Sequence, residues 1–272
     1  MAASTSKTER KGLRGAPDWA LLLVAGFVYL FLYAPILVLM FFSFNSTRST
    51  QVWTGFSLEW YGALLRDESV HEAFRTSLTV GVTATAIATV IGTFTALALS
   101  RHSFRGQTFS DTAIYAATVM PEIVVGVSLL AFFVAIQFTL GITTIIIAHV
   151  AFTISFVTIV VRARLSGMDP SIEEAAQDLG ASPVQTFLRV TLPLILPGVM
   201  AGALLAFTLS FDDFVITFFV AGVGSSTLPL KIYSMIKFGV SPVINALSTV
   251  VLVTTMILIF GGSRLLSHRE GE

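Results

Sequence analysis

Cysteine is absent from the 272 residues of this chain, which excludes disulfides and any metal or redox site built on thiolates. Charge is scarce: charged residues make up 12% of the chain, against about 25% in an ordinary globular domain. Sixteen basic and sixteen acidic side chains leave a formal net charge of zero, which argues against a nucleic-acid partner. The phosphate-cradling G-x-x-x-x-G-K-[ST] pattern does not occur, so the chain cannot hold ATP in the usual way. The histidines, at 71, 102, 149 and 268, show no ligand spacing, and no metal site is expected from them.

What is present is apolar. Hydrophobic residues account for 54% of the chain and the mean hydropathy is +0.84. A soluble protein of this composition lacks the polar surface to cover itself, so the bilayer is the solvent that fits. Crossing about 30 Å of hydrocarbon takes roughly 20 apolar residues in a helix. Segments 19–43, 76–100, 112–136, 142–161, 195–220 and 243–262 qualify, and 137–141 is short enough to be a tight turn at one membrane surface. The expectation is an all-α, polytopic membrane protein of about six transmembrane helices.

The basic start (Lys7, Arg10, Lys11, Arg14) before an apolar run resembles a secretory signal. The uncharged run 19–45 exceeds the roughly 7–15 residues of a cleavable signal core, so it reads as a retained first helix. The organisation expected is a basic tail 1–18, a first transmembrane helix 19–45, an external segment 46–75, a five-helix transmembrane domain 76–264 containing a loop 162–193, and a tail 265–272. With the N-terminus inside, eleven basic residues fall on the inner side (the four above, Arg101, Arg105, Arg162, Arg164, Arg189, Arg264 and Arg269). Five fall outside: Arg48, Arg66, Arg75, Lys231 and Lys237. The positive-inside rule therefore puts both termini in the cytoplasm. The external stretch 51–75 carries Trp53, Trp60 and Tyr61, which read either as an interfacial aromatic belt or as faces meeting a cationic substrate.

Within 162–193, Ser171-Ile172-Glu173-Glu174 fits a capping box, with a short helix to Leu179 stopped by a left-handed Gly180. Ser182-Pro183-Val184-Gln185 repeats the logic with Pro183 at the first helical position. Pro193 and Pro197 mark the approach to the next span. Glu174-Ala175-Ala176, Gly180 and Leu192-Pro193 resemble the EAA-x3-G-x9-I-x-LP loop of bacterial ABC importer permeases, with Val190 where that family has Ile. The resemblance implies the type I ABC importer permease fold. It also implies that this loop is the coupling helix, docking on a cytoplasmic ATPase that carries the ATP and magnesium, with no cofactor in this subunit.

The expected spans contain three acids, Glu122, Asp212 and Asp213, but no Lys or Arg. An ionised carboxylate at mid-membrane costs about 2.5–3.5 kcal/mol on insertion scales. These acids therefore need a cavity, protonation, a base from another subunit, or a cationic substrate. At about 1.5 Å per residue, Glu122 lies about 15 Å into the third span, just after Pro121, which can kink it. Asp212 and Asp213 lie roughly 25 Å along the fifth, pointing about 100° apart. Carboxylates at successive depths suit a multiply charged amine. The other reading protonates Glu122, or hydrogen-bonds it to a neighbouring helix, and has the aspartates cap a span end in outer water. Along the second span Gly81, Ala84, Ala86, Ala88, Gly92 and Ala96 allow close helix approach.

Met120-Pro121-Glu122-Ile123-Val124, Ser210-Phe211-Asp212-Asp213, the stretch from Leu228 to Met235, Gly239-Val240-Ser241-Pro242 and Asn245-Ala246-Leu247 resemble spermidine/putrescine importer permeases of the bacterial cytoplasmic membrane. That resemblance implies polyamine cargo and an external polyamine-binding protein. It also implies a second permease subunit, a paralogue, and a lipid surround. The alternatives are the same machine with ferric iron or another small solute, and a secondary transporter using Glu122 as proton relay.

Overall fold

The computed structural model describes residues 18–48, 52–237, 239 and 241–267. The basic tail with Lys7, Arg10, Lys11 and Arg14, and the chain end with His268 and Arg269, lie outside the described residues. The helices are α1 (Asp18–Phe42), α2 (Glu59–Leu64), α3 (Glu68–Arg101), α4 (Gln107–Val119), α5 (Glu122–Ala135), α6 (Ile142–Ser166), α7 (Ser171–Asp178), α8 (Pro183–Thr186), α9 (Leu192–Phe211), α10 (Val215–Val220), α11 (Leu228–Lys237) and α12 (Pro242–Ser267). A π-helical turn, Phe187–Thr191, joins α8 to α9. Among the described residues the only β pairing is an isolated bridge between Asn45 and Phe56. The chain divides into two compact units, Asp67–Phe238 and the remainder.

In the larger unit α3, α6 and α9 pack together around Ala88, Ala96, Val157, Val161, Ile195 and Ala206. Small residues make this seam possible. Gly81, Ala84, Ala88, Gly92 and Ala96 are buried on α3, whereas Ala86 is exposed and takes no part. A Cβ at Gly92 would stand 2.8 Å from the Val157 side chain and 3.1 Å from the Ile154 carbonyl oxygen. A second cluster, with Val80, Phe133, Ile145, Phe152, Ile216 and Val220, joins α5 and α10 to α3 and α6.

The apolar segments become helices, but two are not continuous. The third expected span bends by 110° between α4 and α5. Pro121 has no N–H to continue the ladder, and it pushes Met120 out of the helical region, to φ −62°, ψ 133°. The fifth ends at Phe211, and its last residues form the separate α10. By length and composition the described residues give four spanning helices, or five with the bent pair counted as one. The sixth expected segment lies within α12, whose described apolar portion is Pro242–Ile257.

The loop 162–193 has the expected two short helices, and Gly180 is left-handed at φ +87°. Its caps differ from expectation at one end. Ser182 and Gln185 form their reciprocal box. Ser171, however, is already the first helical residue, and the Asp169 side chain accepts its N–H at 2.9 Å. Bonding to the Ser171 N–H holds the Asp169 carboxyl below its usual range. Pro170 occupies the capping position, so the serine hydroxyl cannot serve there. Pro193 and Pro197 lie inside a helical run from Pro183 to Phe211. The π turn accommodates the first of them: Leu192 N–H donates to the Phe187 carbonyl, and the widened turn relieves the clash Pro193 would make one turn back.

In the smaller unit α1 and α2 pack on α12. The Trp60 indole N–H donates to the Asn45 carbonyl at 2.6 Å, and Trp60 is buried. Trp53 stacks on Phe41 with ring centroids 4.3 Å apart. Trp60 thus serves packing, which corrects the idea of an open aromatic face there.

Candidate functional site

Both breaks place acids at the start of a resumed helix. Glu122 is the first residue of α5 and is exposed. Asp212 and Asp213 lie between α9 and α10. A Cβ at Gly126 of α5 would meet the Phe219 ring at 2.7 Å and Ile216 Cα at 3.4 Å. Beyond the other ends of both helices, Gly222 packs against the backbone of Leu140 and Gly141. Contacts at 126–216 and 140–222 make α5 and α10 run in the same direction. Glu122 and the two aspartates therefore stand at the same end of this pair. The expectation of successive depths is corrected, because it assumed two unbroken helices.

The aspartates differ sharply. Asp212 is exposed, and Asp213 is only 8% exposed. Asp213 Oδ1 accepts the Ile216 N–H at 3.2 Å, and Oδ2 accepts the Thr217 N–H at 2.8 Å and the Thr217 hydroxyl at 2.7 Å. These bonds cap α10 and explain why a helix starts there. Oδ2 also faces His149 Nε2 at 3.2 Å. The other ring nitrogen, Nδ1, lies 2.7 Å from the Ser210 hydroxyl. His149 sits in α6 at 1% exposure, about 10 Å along the helix from its Ile142 end.

The expectation that no base accompanies the acids is corrected for Asp213. Counting only Lys and Arg missed His149. An ionisable imidazole within an apolar segment is itself a functional signal, and that alone could have drawn notice. Among the described residues neither Glu122 nor Asp212 has an ion-pair partner.

At the opposite end of α6 and α9 lies the loop 162–193. Glu174, Ala175 and Gly180 are exposed, Ala176 and Leu192 are half-buried, and Pro193 is exposed. The contacts belong instead to Glu173. Arg101, at the end of α3, approaches its carboxylate at 2.9 Å. The Thr191 hydroxyl donates to it at 2.7 Å. Glu173 so ties α7 to α3 and to the π turn preceding α9. Nearby, Arg162 of α6 pairs with Asp111 of α4. Ile172, Leu179, Val184 and Leu188 leave apolar surface exposed along this loop.

Several known proteins resemble the chain. It is 44% identical over 264 residues to the putrescine transport system permease protein PotI of Escherichia coli (strain K12), covering 94% of this chain and 93% of that one. It is 43% identical over 232 residues to the spermidine/putrescine transport system permease protein PotC of the same strain, covering 85% and 88%. A crystal structure of a bacterial ABC transporter importing the acidic polysaccharide alginate matches with a TM-score of 0.73 at 16% identity, over 97% of this chain and 99% of that one. That likeness is one of fold, and the fold is the type I permease fold expected from the loop. The profile of binding-protein-dependent transport system inner membrane components matches residues 88–268, a stretch that holds the loop 162–193, both broken helices and all three acids. This chain belongs to that family, the binding-protein-dependent transport system inner membrane components.

Proposed function

We propose that the chain is the membrane-spanning permease subunit of an ATP-driven importer of polyamines, putrescine and spermidine. The observation that carries the cationic cargo is the pair Glu122 and Asp212. Both are exposed at the same end of the α5–α10 pair, and neither has an ion-pair partner among the described residues. Uncompensated carboxylates in an apolar environment are costly, and an alkylammonium passing between them removes that cost while cargo is present. The names of PotI and PotC support the same cargo.

The chain does no chemistry on its cargo. ATP and magnesium belong to cytoplasmic ATPase subunits, whose closure pushes on 162–193. The Arg101–Glu173–Thr191 contacts pass that movement from α7 to α3 and α9. Alternating access follows when α3 and α9 move as packed rods and the short α5 and α10 shift with them. A second permease subunit, a paralogue, completes the pathway within the lipid, and an external binding protein delivers the polyamine. Both termini are cytoplasmic, by the distribution of basic residues.

The test is uptake of radiolabelled putrescine and spermidine in cells carrying Glu122→Gln or Asp212→Asn, normalised to membrane-inserted protein. Both variants should insert normally and transport poorly. Wild-type uptake in both would refute the cationic pathway.

A further inference from the structure

We infer that His149 is a positioning residue for cargo: it fixes Ser210 and Asp213 so that Asp212, between them, is the aspartate presented to the cationic substrate. The inference rests on the polyamine-permease reading and adds a residue to it.

The hydrogen bonds dictate the proton positions. The Thr217 hydroxyl, 2.7 Å from Asp213 Oδ2, must donate, because a carboxylate oxygen has no hydrogen to give. Its lone pair then receives the Nε2–H of His149 at 3.0 Å, and Asp213 Oδ2 shares that hydrogen at 3.2 Å. Nε2 therefore carries a hydrogen, and Nδ1 stands against the Ser210 hydroxyl.

Two consequences follow. Asp213 receives hydrogens from Ile216, Thr217 (twice) and His149, about as many as a carboxylate can take. At 8% exposure it is closed to an ammonium group. Asp212 is bracketed by Ser210 on the last turn of α9 and Asp213 at the start of α10, and these bond to opposite nitrogens of one buried ring. The imidazole, carried by α6, spans the helix break and sets how residue 212 leaves α9. An ordinary core hydrogen bond would stabilise the fold without acting on cargo, and the two roles are separable.

The experiment uses the complete importer in proteoliposomes, with its binding protein, and measures putrescine transported per ATP hydrolysed. Asp212→Asn should lower that ratio about tenfold, the scale of one charge-assisted contact. His149→Leu should lower it similarly, His149→Gln, which keeps a donor near Nε2, should recover most of it, and His149→Leu with Asp212→Asn should do no worse than Asp212→Asn alone. Ser210→Ala, which removes only the Nδ1 anchor, should also lower the ratio and serves if His149→Leu fails to insert. A merely structural histidine changes the amount of inserted protein and leaves the ratio alone, which would overturn the inference. So would multiplying effects of the His149 and Asp212 changes. A wild-type ratio in Asp212→Asn would instead remove the cargo reading on which the inference rests.

Discussion

Gly222 offers a test of the packing that aligns α5 with α10. A Cβ added there would overlap the Leu140 carbonyl group and stand 2.9 Å from Gly141 N. Ordinary non-bonded contacts are about 3.5–4.0 Å. Every atom met is backbone, so no rotamer change relieves the clash. The turn cannot easily slide away. Gly222 N–H donates to the Ser225 hydroxyl oxygen at 2.8 Å, and the Thr144 hydroxyl donates to the Val220 carbonyl at 2.7 Å. Overpacking costs about 1–3 kcal/mol, and one hydrogen bond lost in the adjustment about 1 kcal/mol more. Gly222→Ala should therefore destabilise by about 3 kcal/mol, given ~2 for overpacking and ~1 for the bond. At about 2–4 °C per kcal/mol for a domain of this size, the melting temperature should fall by roughly 6–12 °C. Gly141→Ala is the control: it has open space around its Cβ, and its extended backbone accepts any residue. Fluorescence-detected size-exclusion chromatography of detergent-solubilised protein after graded heating measures both. Equal melting of the two variants, or a Gly222→Ala shift within about 2 °C of wild type, would refute the reasoning.

Asp213→Asn and Asp212→Asn should separate in the same thermal assay. The asparagine at 213 turns an amide donor toward the Ile216 N–H or the Thr217 donors, costing about 1–3 kcal/mol, whereas the exposed position 212 should melt like wild type. Asp67 caps α3, accepting the Ser69 and Val70 N–H groups and the Ser69 hydroxyl. The Ser69 hydroxyl bond, above all, holds the Asp67 carboxyl below its usual range. Because the folded value is lowered, its contribution is complete above the ordinary carboxylate range and is lost as pH falls through the folded value. Asp67→Ala should cost about 1 kcal/mol near neutrality, and the gap from wild type, followed by thermal melts across pH, should close in acid. Gly180→Pro cannot adopt φ +87° and should uncouple ATP hydrolysis from uptake while leaving the protein inserted. Glu173→Ala should weaken coupling more than Glu174→Ala, since Glu173 holds the contacts to Arg101 and Thr191; ATPase stimulation by the loaded binding protein measures both.

Features carried by neighbouring residues were legible in the sequence. Hydropathy is a property of contiguous segments, so α1, α3, α6 and the start of α12 fall where apolar runs lie. The loop 162–193 was readable because its signals are local: Ser182 reaches Gln185 within one turn, and Gly180 alone tolerates its backbone angle. Even there, a single residue decided the outcome, since Asp169 serves the N–H of Ser171 and leaves no box for Glu174. Pro121 announced a kink; the 110° turn needed the packing of α5 on α10 to define it. The break after Phe211 carries no proline or glycine; its local signal is Asp213, which takes the N–H groups of Ile216 and Thr217 and starts a new helix without by itself stopping α9. What stops it is a network assembled from α6, α9 and α10, in which His149 reaches across 64 residues to Asp213. That contact buries one aspartate, exposes its neighbour and gives the buried acid a base. No window of sequence shorter than that separation contains it, so only the tertiary structure could decide which carboxylate stays exposed.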